Sequence, residues 1–392
     1  FFIILITLYF VGQYVIKSDS LKSLRNLITP NQKEYIKTIF YPQIKIQQLK
    51  KDNNNLQYEN DRLKKIIKNI SKPHIFDEYL KKKLIDLQFR SIESIQLNDY
   101  EIKVFEPIGD KLMFGSSYNI IPGSAYLEIN DEDLYIISKS GVIGFTKLNN
   151  LKKENFHFSQ IKNNIEKFLT TKLMNISNSY NINDALIHNN YLYVSFTNEI
   201  YDECFNTGII FAPLDKEFLN FDYFFSPTEC IHATKNKDQE FYPIQSGGRM
   251  VILDNNYLLL TTGDYRERYK AQDDKSVFGK VLSIDLNNKK HSIVSMGHRN
   301  PQGITLSKDS EYAITTEHGP MGGDEINIIE LKDKIVDNFG WPVSSYGEHY
   351  GGKIDANKKK YEKYPLYKSH KEFGYTEPLK SFQPAIGPSE II

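Results

Sequence analysis

The chain contains little cysteine and no excess of charge of either sign. Only Cys204 and Cys230 are present among 392 residues, and two thiols cannot complete a zinc site by themselves. Lys+Arg and Asp+Glu both number 49, so the formal net charge is zero and no surplus of positive charge exists to recruit nucleic acid. These absences argue against a cysteine zinc site and against a nucleic-acid partner.

The two cysteines lie in one loop-rich region, with sequences typical of turns around both of them. If the chain is exported to an oxidising compartment, a Cys204–Cys230 disulfide is expected. The alternative is a pair of unrelated free thiols.

The longest apolar run is at the beginning of the chain. Residues 1–16 read FFIILITLYFVGQYVI, with Gln13 as the only strongly polar side chain. A membrane-spanning helix needs about 20 apolar residues, so the run predicts most of a single-pass anchor that begins before Phe1. A cleaved signal peptide and a buried core helix are the alternatives. The residues at the end of the apolar run contain no small-x-small cleavage site, which favours the membrane anchor over a cleaved signal peptide.

A heptad pattern follows a polar connector at 17–41. Its apolar positions recur every seventh residue, with Leu49, Leu56, Leu63 and Ile70 at d and with Ile46, Asn53, Asn60 and Ile67 at a. Asparagine at position a favours a parallel dimer. We expect a coiled-coil helix over 42–71 that makes the protein a homodimer. The alternative is a single helix packed against its own globular domain.

After a second connector at 72–109, short strand-like runs separated by Asn, Asp and Gly replace the helical pattern. Examples are Leu134–Ser138, Tyr191–Phe196 and Tyr257–Thr262, the last two preceded by a repeated Asn-Asn unit. Blades of β-propellers take about 40–50 residues of four strands each. Residues 110–392 therefore predict an all-β domain large enough for most of a six-bladed propeller.

One dense set of motifs lies between Gln245 and Tyr346. Its centre is the heptad Gly297-His298-Arg299-Asn300-Pro301-Gln302-Gly303, which by itself is typical of a solvated turn. The other motifs are Gln245-Ser246-Gly247-Gly248-Arg249, Thr262-Gly263-Asp264-Tyr265-Arg266, Glu317-His318-Gly319-Pro320, Gly323-Asp324-Glu325 and Asn338-Phe339-Gly340-Trp341-Pro342.

In order and spacing this set resembles the glucose/sorbosone dehydrogenase family of soluble quinoprotein sugar dehydrogenases. The resemblance implies a six-bladed β-propeller that uses pyrroloquinoline quinone (PQQ) and calcium. It also implies that the closing blade or blades of the ring lie beyond Ile392.

The resemblance assigns cofactor contacts to Arg299 and Asn300, and it places Tyr265 where some members have a cofactor-site glutamine. A guanidinium and an amide suit a cofactor that carries three carboxylates and several carbonyls. The alternative is a structural turn in which Arg299 pairs with an acidic side chain.

Four further residues are candidate calcium ligands. The resemblance implies that the backbone carbonyls of Gly319 and Pro320 hold the cofactor-bridging ion, and that Asp324 and Glu325 hold a second, structural one. Oxygen donors of these kinds are the ligands that calcium prefers. The alternative is a solvated acidic turn.

The family's catalytic histidine is absent. It precedes the Gly-Arg motif, where it accepts the hydroxyl proton of the sugar, and imidazole suits that task because its pKa lies near neutral pH. The corresponding position here is Ile244 or Gln245, and neither side chain can accept a proton.

Two classes of function therefore follow from the sequence. The first is a PQQ-dependent sugar or alcohol dehydrogenase with an altered site, anchored in the bacterial inner membrane with its propeller in the periplasm and acting on a sugar or other polyol. The second is a non-catalytic, calcium-stabilised propeller that binds a glycan or a protein.

Overall fold

The computed structural model describes residues 88–98, 100–108, 125–139, 141–169, 182–332 and 335–392. The expected membrane anchor at 1–16 and coiled coil at 42–71 lie outside these residues and stay predictions. Within the described ranges, no helix combines the length and the apolar character needed to cross a membrane.

Four sheets follow one another along the chain, each built mainly as an antiparallel meander. The first sheet contains β3 (Ala125–Asn130), β4 (Asp133–Ser138), β5 (Ile143–Lys147), β7 (Ser159–Asn163) and the parallel edge strand β11 (Phe218–Leu219). The second contains β8 (Ile182–His188), β9 (Tyr191–Tyr201), β10 (Cys204–Pro213), β12 (Asp222–Phe225) and β13 (Ile231–His232).

The third and fourth sheets carry the motif-rich half of the chain. The third contains β14 (Gly247–Leu253), β15 (Tyr257–Thr262), β16 (Lys280–Asp285), β17 (His291–Met296) and the parallel edge strand β21 (Asp337–Asn338). The fourth contains β18 (Pro301–Leu306), β19 (Tyr312–Glu317), β20 (Asp324–Glu330) and β22 (Lys380–Phe382).

A smaller sheet and a few helical turns complete the described structure. The sheet has the order β2 (Tyr100–Ile108), β1 (Gln88–Leu97), β6 (Asn155–His157). One α-helix, α1, spans Lys358–Lys363, and 3₁₀ turns occur at Leu148–Lys152, Ile165–Lys167, Arg268–Gln272, Asp355–Asn357 and Lys371–Phe373. The predicted connector at 72–109 is corrected for residues 88–108, which form the β1–β2 hairpin. Its apolar residues Ile95, Leu97 and Tyr100 are exposed, so they do not mark a buried face of a strand.

The sheets pack face to face, so their central strands are buried on both sides. In β15, Leu258 and Leu260 pack toward the second sheet, while Leu259 between them packs toward the fourth. In β4, Tyr135 and Ile137 pack in the same way toward the second sheet. Side chains alternate between the two faces of a strand, so a strand buried on both faces becomes a continuous apolar run. This explains why the predicted strand runs are correct.

The innermost strands of successive sheets contact one another in the order β3, β8, β14, β18. Consecutive meander sheets that meet along their first strands are the blades of a β-propeller. The predicted all-β propeller is therefore confirmed. The described residues hold five sheets, four of them full meanders, and the number of blades in the complete ring stays a prediction.

Arg249 on β14 links all four meander sheets near this inner line of strands. Its Nη1 donates to Asp184 Oδ1 of β8 at 3.0 Å, and its Nε donates to the Gln302 carbonyl of β18 at 2.8 Å. Its guanidinium also lies 5.3 Å from the ring of Tyr126 on β3. Asp184 is buried, and burial raises its pKa to about 6 although the charge of Arg249 opposes the shift.

The structure contains the Cys204–Cys230 disulfide, so that expectation is confirmed. The bond joins the start of β10 to a loop that carries Glu229. The carboxylate of Glu229 accepts hydrogen bonds from Lys270 Nζ at 2.6 Å and from the Val277 N–H at 2.8 Å. The disulfide thereby helps to hold the 268–278 segment of the third sheet.

Removing Arg249 should strongly destabilise the protein. We expect Arg249→Gln to lower the free energy of unfolding by about 3–5 kcal/mol, because Asp184 would be left buried without its cation. Urea unfolding measures the effect. The control is Arg90→Gln, which removes the exposed pair with Glu106 and should cost at most about 1 kcal/mol. Equal losses for both variants would contradict the linking role of Arg249.

Glu128 on β3 should make stability depend on pH. Burial raises its pKa to about 7, above its ordinary value of 4.5, so the folded state holds this proton more tightly than the unfolded state does. Stability from this group is present below about pH 4.5 and is lost as the pH rises through 7. Glu128→Gln should therefore raise the free energy of unfolding at pH 8 by about 1–2 kcal/mol and change it little at pH 4. The melting temperature at the two pH values measures this. Glu132→Gln, on the exposed turn beside it, is the control. A gain that is the same at both pH values would rule out this origin.

Candidate functional site

The heptad at 297–303 is buried, which rules out the solvated-turn alternative. His298 is inaccessible, and Arg299 and Asn300 are 5% and 3% exposed. The His298 ring bonds through Nδ1 to Glu317 and through Nε2 to Ser295, both at 2.8 Å. This histidine therefore holds the loop between β17 and β18 in place and has no ring nitrogen left for chemistry.

The Arg299 guanidinium is held by neutral acceptors. Its Nη1 donates to the His318 carbonyl at 2.8 Å and its Nη2 donates to Gln245 Oε1 at 3.0 Å, while Trp341 lies 5.5 Å from the guanidinium carbon. It forms no ion pair with any carboxylate in the described ranges, so the alternative of an acid-paired structural turn does not hold there. Burial lowers the pKa of Arg299, and the charge of Asp264 opposes that shift.

Asp264 is the buried carboxylate at the base of the site. Its Oδ1 accepts from Gln245 Nε2 at 2.8 Å and from the Arg266 N–H at 2.8 Å, and its Oδ2 accepts from Trp341 Nε1 at 2.7 Å. Burial raises the pKa of Asp264, and the positive charge of Arg299 works against this. The carboxylate thus joins three separate segments of the chain around Arg299.

Gln245 reaches this carboxylate because its segment lies against the turn after β15. The Tyr265 N–H donates to the Gln245 carbonyl at 3.0 Å, and the Gly263 N–H donates to the Ser246 carbonyl at 2.9 Å. A Cβ atom at Gly263 would lie 2.1 Å from the Gln245 oxygen, so only glycine permits this approach. Of the two positions predicted for the missing histidine, Gln245 is 2% exposed within the site, whereas Ile244 is 48% exposed outside it.

A cavity of about 170 Å³ opens beside Arg299 and Trp341. Its wall is mostly cationic and aromatic, and consists of Glu240, Arg266, Arg268, Arg299, Pro320, Trp341, His349, Tyr350 and Lys360. His349 bonds through Nε2 to the Tyr364 carbonyl at 2.8 Å, and burial lowers its pKa.

The structure corrects the assignment of Tyr265 to the cofactor site. Its ring is fully buried in the core, stacked 5.9 Å from Phe241 and edge-on to Phe278, and its hydroxyl contacts Thr207 Oγ1 at 2.9 Å. Tyr265 and Arg266 are both left-handed, with φ of 49° and 68°. The side chain from this turn that lines the cavity is Arg266, for which the sequence motif alone predicts no role.

Asn300 lies next to Arg299 but its oxygen is already engaged. Its Oδ1 accepts from the Gly247 N–H at 3.2 Å and from Gln302 Nε2 at 2.9 Å. In this structure Asn300 therefore ties the heptad to the Gly-Gly-Arg segment. Its predicted contact with a cofactor stays a prediction.

The Gly319-Pro320 turn packs backbone against backbone on a neighbouring loop. Gly323 has φ of 70°, and a Cβ there would lie 2.1 Å from the Gly347 nitrogen. The His318 carbonyl, just before the turn, accepts from Arg299, and Pro320 lines the cavity. Pro320 therefore lines the same cavity as Arg299, and the binding of calcium by the Gly319 and Pro320 carbonyls stays a prediction.

The two predicted acidic ligands differ in their surroundings. Asp324 accepts hydrogen bonds from the backbone N–H groups of Gly319, Ile386 and Gly387, at 2.7–2.9 Å, and so acts as a loop anchor. Glu325 is also buried, opposite Glu317 in the β19–β20 register. Burial and then the charge of Glu317 raise the pKa of Glu325 well above its usual range.

These surroundings fit a calcium ion only in part. Two buried carboxylates, Glu317 and Glu325, line a small cavity with Gly319 and Gly323, and a cation there would relieve their repulsion. However, no cluster of three or more His, Cys, Asp or Glu side chains suited to a metal occurs among the described residues. Any ion would therefore need backbone carbonyls in addition to Glu325, because the oxygens of Asp324 accept from N–H donors instead.

Residues 178–392, more than half of the chain, match the model of the family described as "Glucose / Sorbosone dehydrogenase". The chain belongs to the glucose/sorbosone dehydrogenase family. Among curated members, it is 36% identical over 119 residues to the aldose sugar dehydrogenase YliI of Escherichia coli (strain K12), covering 27% of this chain and 31% of that protein. It is 31% identical over 98 residues to quinoprotein glucose dehydrogenase B of Acinetobacter calcoaceticus, covering 22% of this chain and 20% of that protein.

Two solved structures are similar to this chain. The apo form of the soluble aldose sugar dehydrogenase from Escherichia coli gives a TM-score of 0.49 at 20% identity, over 68% of this chain and 73% of that one. The PQQ-bound aldose sugar dehydrogenase from Streptomyces coelicolor gives 0.48 at 20% identity, over 68% and 71%. The chain spans between 20% and 40% of the length of its curated relatives.

Calcium should raise the melting temperature through Glu325, because an ion bound only by the folded state stabilises it by mass action. The measurement is thermal unfolding in millimolar calcium and in chelator. Glu325→Gln should abolish the difference, whereas Glu330→Gln, at the exposed end of the same strand, should preserve it. A melting temperature that does not respond to calcium or chelator in the unmodified protein would show that these are plain acidic loops.

Proposed function

We propose that this protein is a PQQ-dependent sugar dehydrogenase-like oxidoreductase whose catalytic histidine has been replaced by Gln245. The observation that carries the proposal is the buried Arg299, which lies beside an open cavity and has only neutral acceptors. An uncompensated guanidinium in such a place is suited to a ligand carboxylate. PQQ carries three carboxylates and, when bound, would supply the two-electron acceptor for oxidation of a sugar carbon.

The chain's own residues would bind and orient the ligands. Arg299 would hold a carboxylate of the quinone, and the ring of Trp341 would close the adjacent wall. Asp264 would keep Gln245 and Trp341 in position through its two oxygens. Calcium, if bound at the Gly319-Pro320 turn, would neutralise ligand charge on the neighbouring side.

The weak step in this site is removal of the hydroxyl proton. Oxidation of the sugar needs a base to accept that proton as hydride leaves the carbon, and the amide of Gln245 cannot accept it. A histidine at 245 could donate one ring N–H to Asp264, as Gln245 Nε2 does now, and leave its other nitrogen as the base. Loss of a general base typically costs about 10²–10⁴ in rate.

The proposal extends to the rest of the chain. We infer a six-bladed ring and a single-pass anchor at 1–16 that holds the propeller in the periplasm, with the 42–71 helix forming a homodimer. The Cys204–Cys230 disulfide supports an oxidising compartment, since such bonds persist there.

The second candidate is a non-catalytic propeller that binds a glycan or a protein partner. The observation that favours it is again Gln245, because a site that keeps Arg299 but lacks a base can bind without reacting. The two candidates differ in whether the quinone binds.

The test combines cofactor binding with restored activity. The unmodified protein should take up PQQ with calcium, seen by its visible absorption, and reduce a dye slowly or not at all with an aldose. Gln245→His should raise dye reduction by about 10²-fold or more, because it supplies the missing base. Ile244→His is the matched control and should have no effect, since that side chain is exposed.

Two results would contradict the proposal. One is rapid sugar oxidation by the unmodified protein, which would mean that another group, for example His349, already acts as the base. The other is failure to bind the quinone at all, which would favour the non-catalytic propeller.

A further inference from the structure

Two guanidinium groups converge on one neutral oxygen. Arg266 Nε and Arg299 Nη2 donate to the same Gln245 Oε1, at 2.9 and 3.0 Å. Like charges this close repel each other unless an anion lies between or beside them. Neither arginine forms an ion pair with a carboxylate in the ranges that the structure describes.

The other two cations of the cavity form ion pairs. Arg268 Nη2 donates to Glu240 at 2.6 Å, and Lys360 also pairs with Glu240. Four cationic side chains thus line the cavity against this single carboxylate. Arg266 and Arg299 are therefore the cations of the cavity wall that form no ion pair.

The two arginines lie at different depths. Arg299 is 5% exposed and lies beside Trp341. Arg266 is half-buried, 4.2 Å from the ring of Tyr242 and 5.9 Å from that of Tyr350, and both rings are exposed. A guanidinium stacked on aromatic rings keeps the N–H donors at its edge available for a ligand. Arg266 is therefore at the mouth of the cavity, where a substrate enters.

We propose that Arg266 binds the carboxylate of a substrate beside Arg299, which holds the quinone, and that this site makes the cavity select acidic sugars, such as uronates and aldonates, over neutral aldoses. The inference rests on the proposed function, since it names the substrate class of the same site. Arg266 uses only its Nε toward Gln245, and the planar guanidinium has further N–H donors that can form two parallel bonds to the oxygens of a carboxylate. Gln245 keeps the pair together because its oxygen accepts from both.

The test is calorimetric titration of the full chain, without quinone, with glucuronate, gluconate and glucose. The two acids should bind at least about tenfold more tightly than glucose. Arg266→Gln should weaken binding of the acids by about 10- to 100-fold, the usual effect of losing charge-assisted hydrogen bonds, and leave glucose unchanged. Arg266→Lys, which keeps the charge and loses the planar fork, should lose most of the preference.

The control is Lys359→Gln, which removes one positive charge from the exposed side of α1. It should leave all three affinities unchanged, because the effect of Arg266 is a direct contact and not a long-range field. An equal loss in Lys359→Gln and Arg266→Gln would overturn the proposal, as would equal binding of glucuronate and glucose by the unmodified protein.

A parallel titration with PQQ shows whether Arg266 binds a carboxylate of the cofactor or the carboxylate of the sugar. If Arg266→Gln weakens quinone binding and leaves glucuronate binding unchanged, the carboxylate belongs to the cofactor and the proposed selectivity is wrong. Because these titrations need no turnover, they can succeed even if the protein never oxidises a sugar. Conversely, dye reduction with neutral aldoses but no preference for acids would overturn the selectivity alone.

Discussion

The site depends on one buried negative charge, the carboxylate of Asp264. It has no exposed surface, and three donors from different segments of the chain converge on it: Gln245, Trp341 and the backbone of Arg266. A buried carboxylate without such donors would be protonated or would destabilise the fold. Its position therefore requires the Gly263 turn, the Gln245 segment and the Trp341 loop to be in place at once.

Arg299 completes this arrangement without pairing with the carboxylate directly. Its Nη1 donates to the His318 carbonyl and its Nη2 donates to Gln245 Oε1. Asp264 therefore compensates the charge of Arg299 only through space. A direct ion pair would neutralise the guanidinium and leave nothing to attract a ligand. The intervening glutamine is therefore what keeps positive charge available at the cavity.

Most of the fold could be predicted from the sequence because its strands are long apolar runs between turn residues. The Asn189-Asn190 and Asp254-Asn255 turns adopt left-handed conformations that suit their side chains, so the repeated units before β9 and β15 mark real hairpins. The β1–β2 hairpin was missed because much of its apolar surface is exposed and its pattern does not signal burial. The apolar pattern within each strand determines which of its residues are buried, so this part of the fold can be predicted from the sequence.

The site was less predictable because it is assembled from distant parts of the chain. Arg299 and its loop were recognised by their motif, but the partner of Asp324 is a backbone segment 62 and 63 residues further on, at Ile386 and Gly387. No local pattern reports such a contact. Likewise, whether Tyr265 or Arg266 lines the cavity depends on the left-handed backbone of these two consecutive residues. That backbone places the Tyr265 ring in the core and the Arg266 side chain at the cavity.

The amide side chain of Gln245 has two physical properties that bear on the proposed function. It cannot act as a proton acceptor, and its oxygen accepts from two guanidinium groups. A neutral imidazole that donated one nitrogen to Asp264 would have a single lone pair left, and a base must keep that pair for the substrate. It could not also hold both Arg266 and Arg299. One side chain at position 245 therefore cannot both act as the base and hold the two arginines. Glutamine at this position holds the arginines and cannot act as the base.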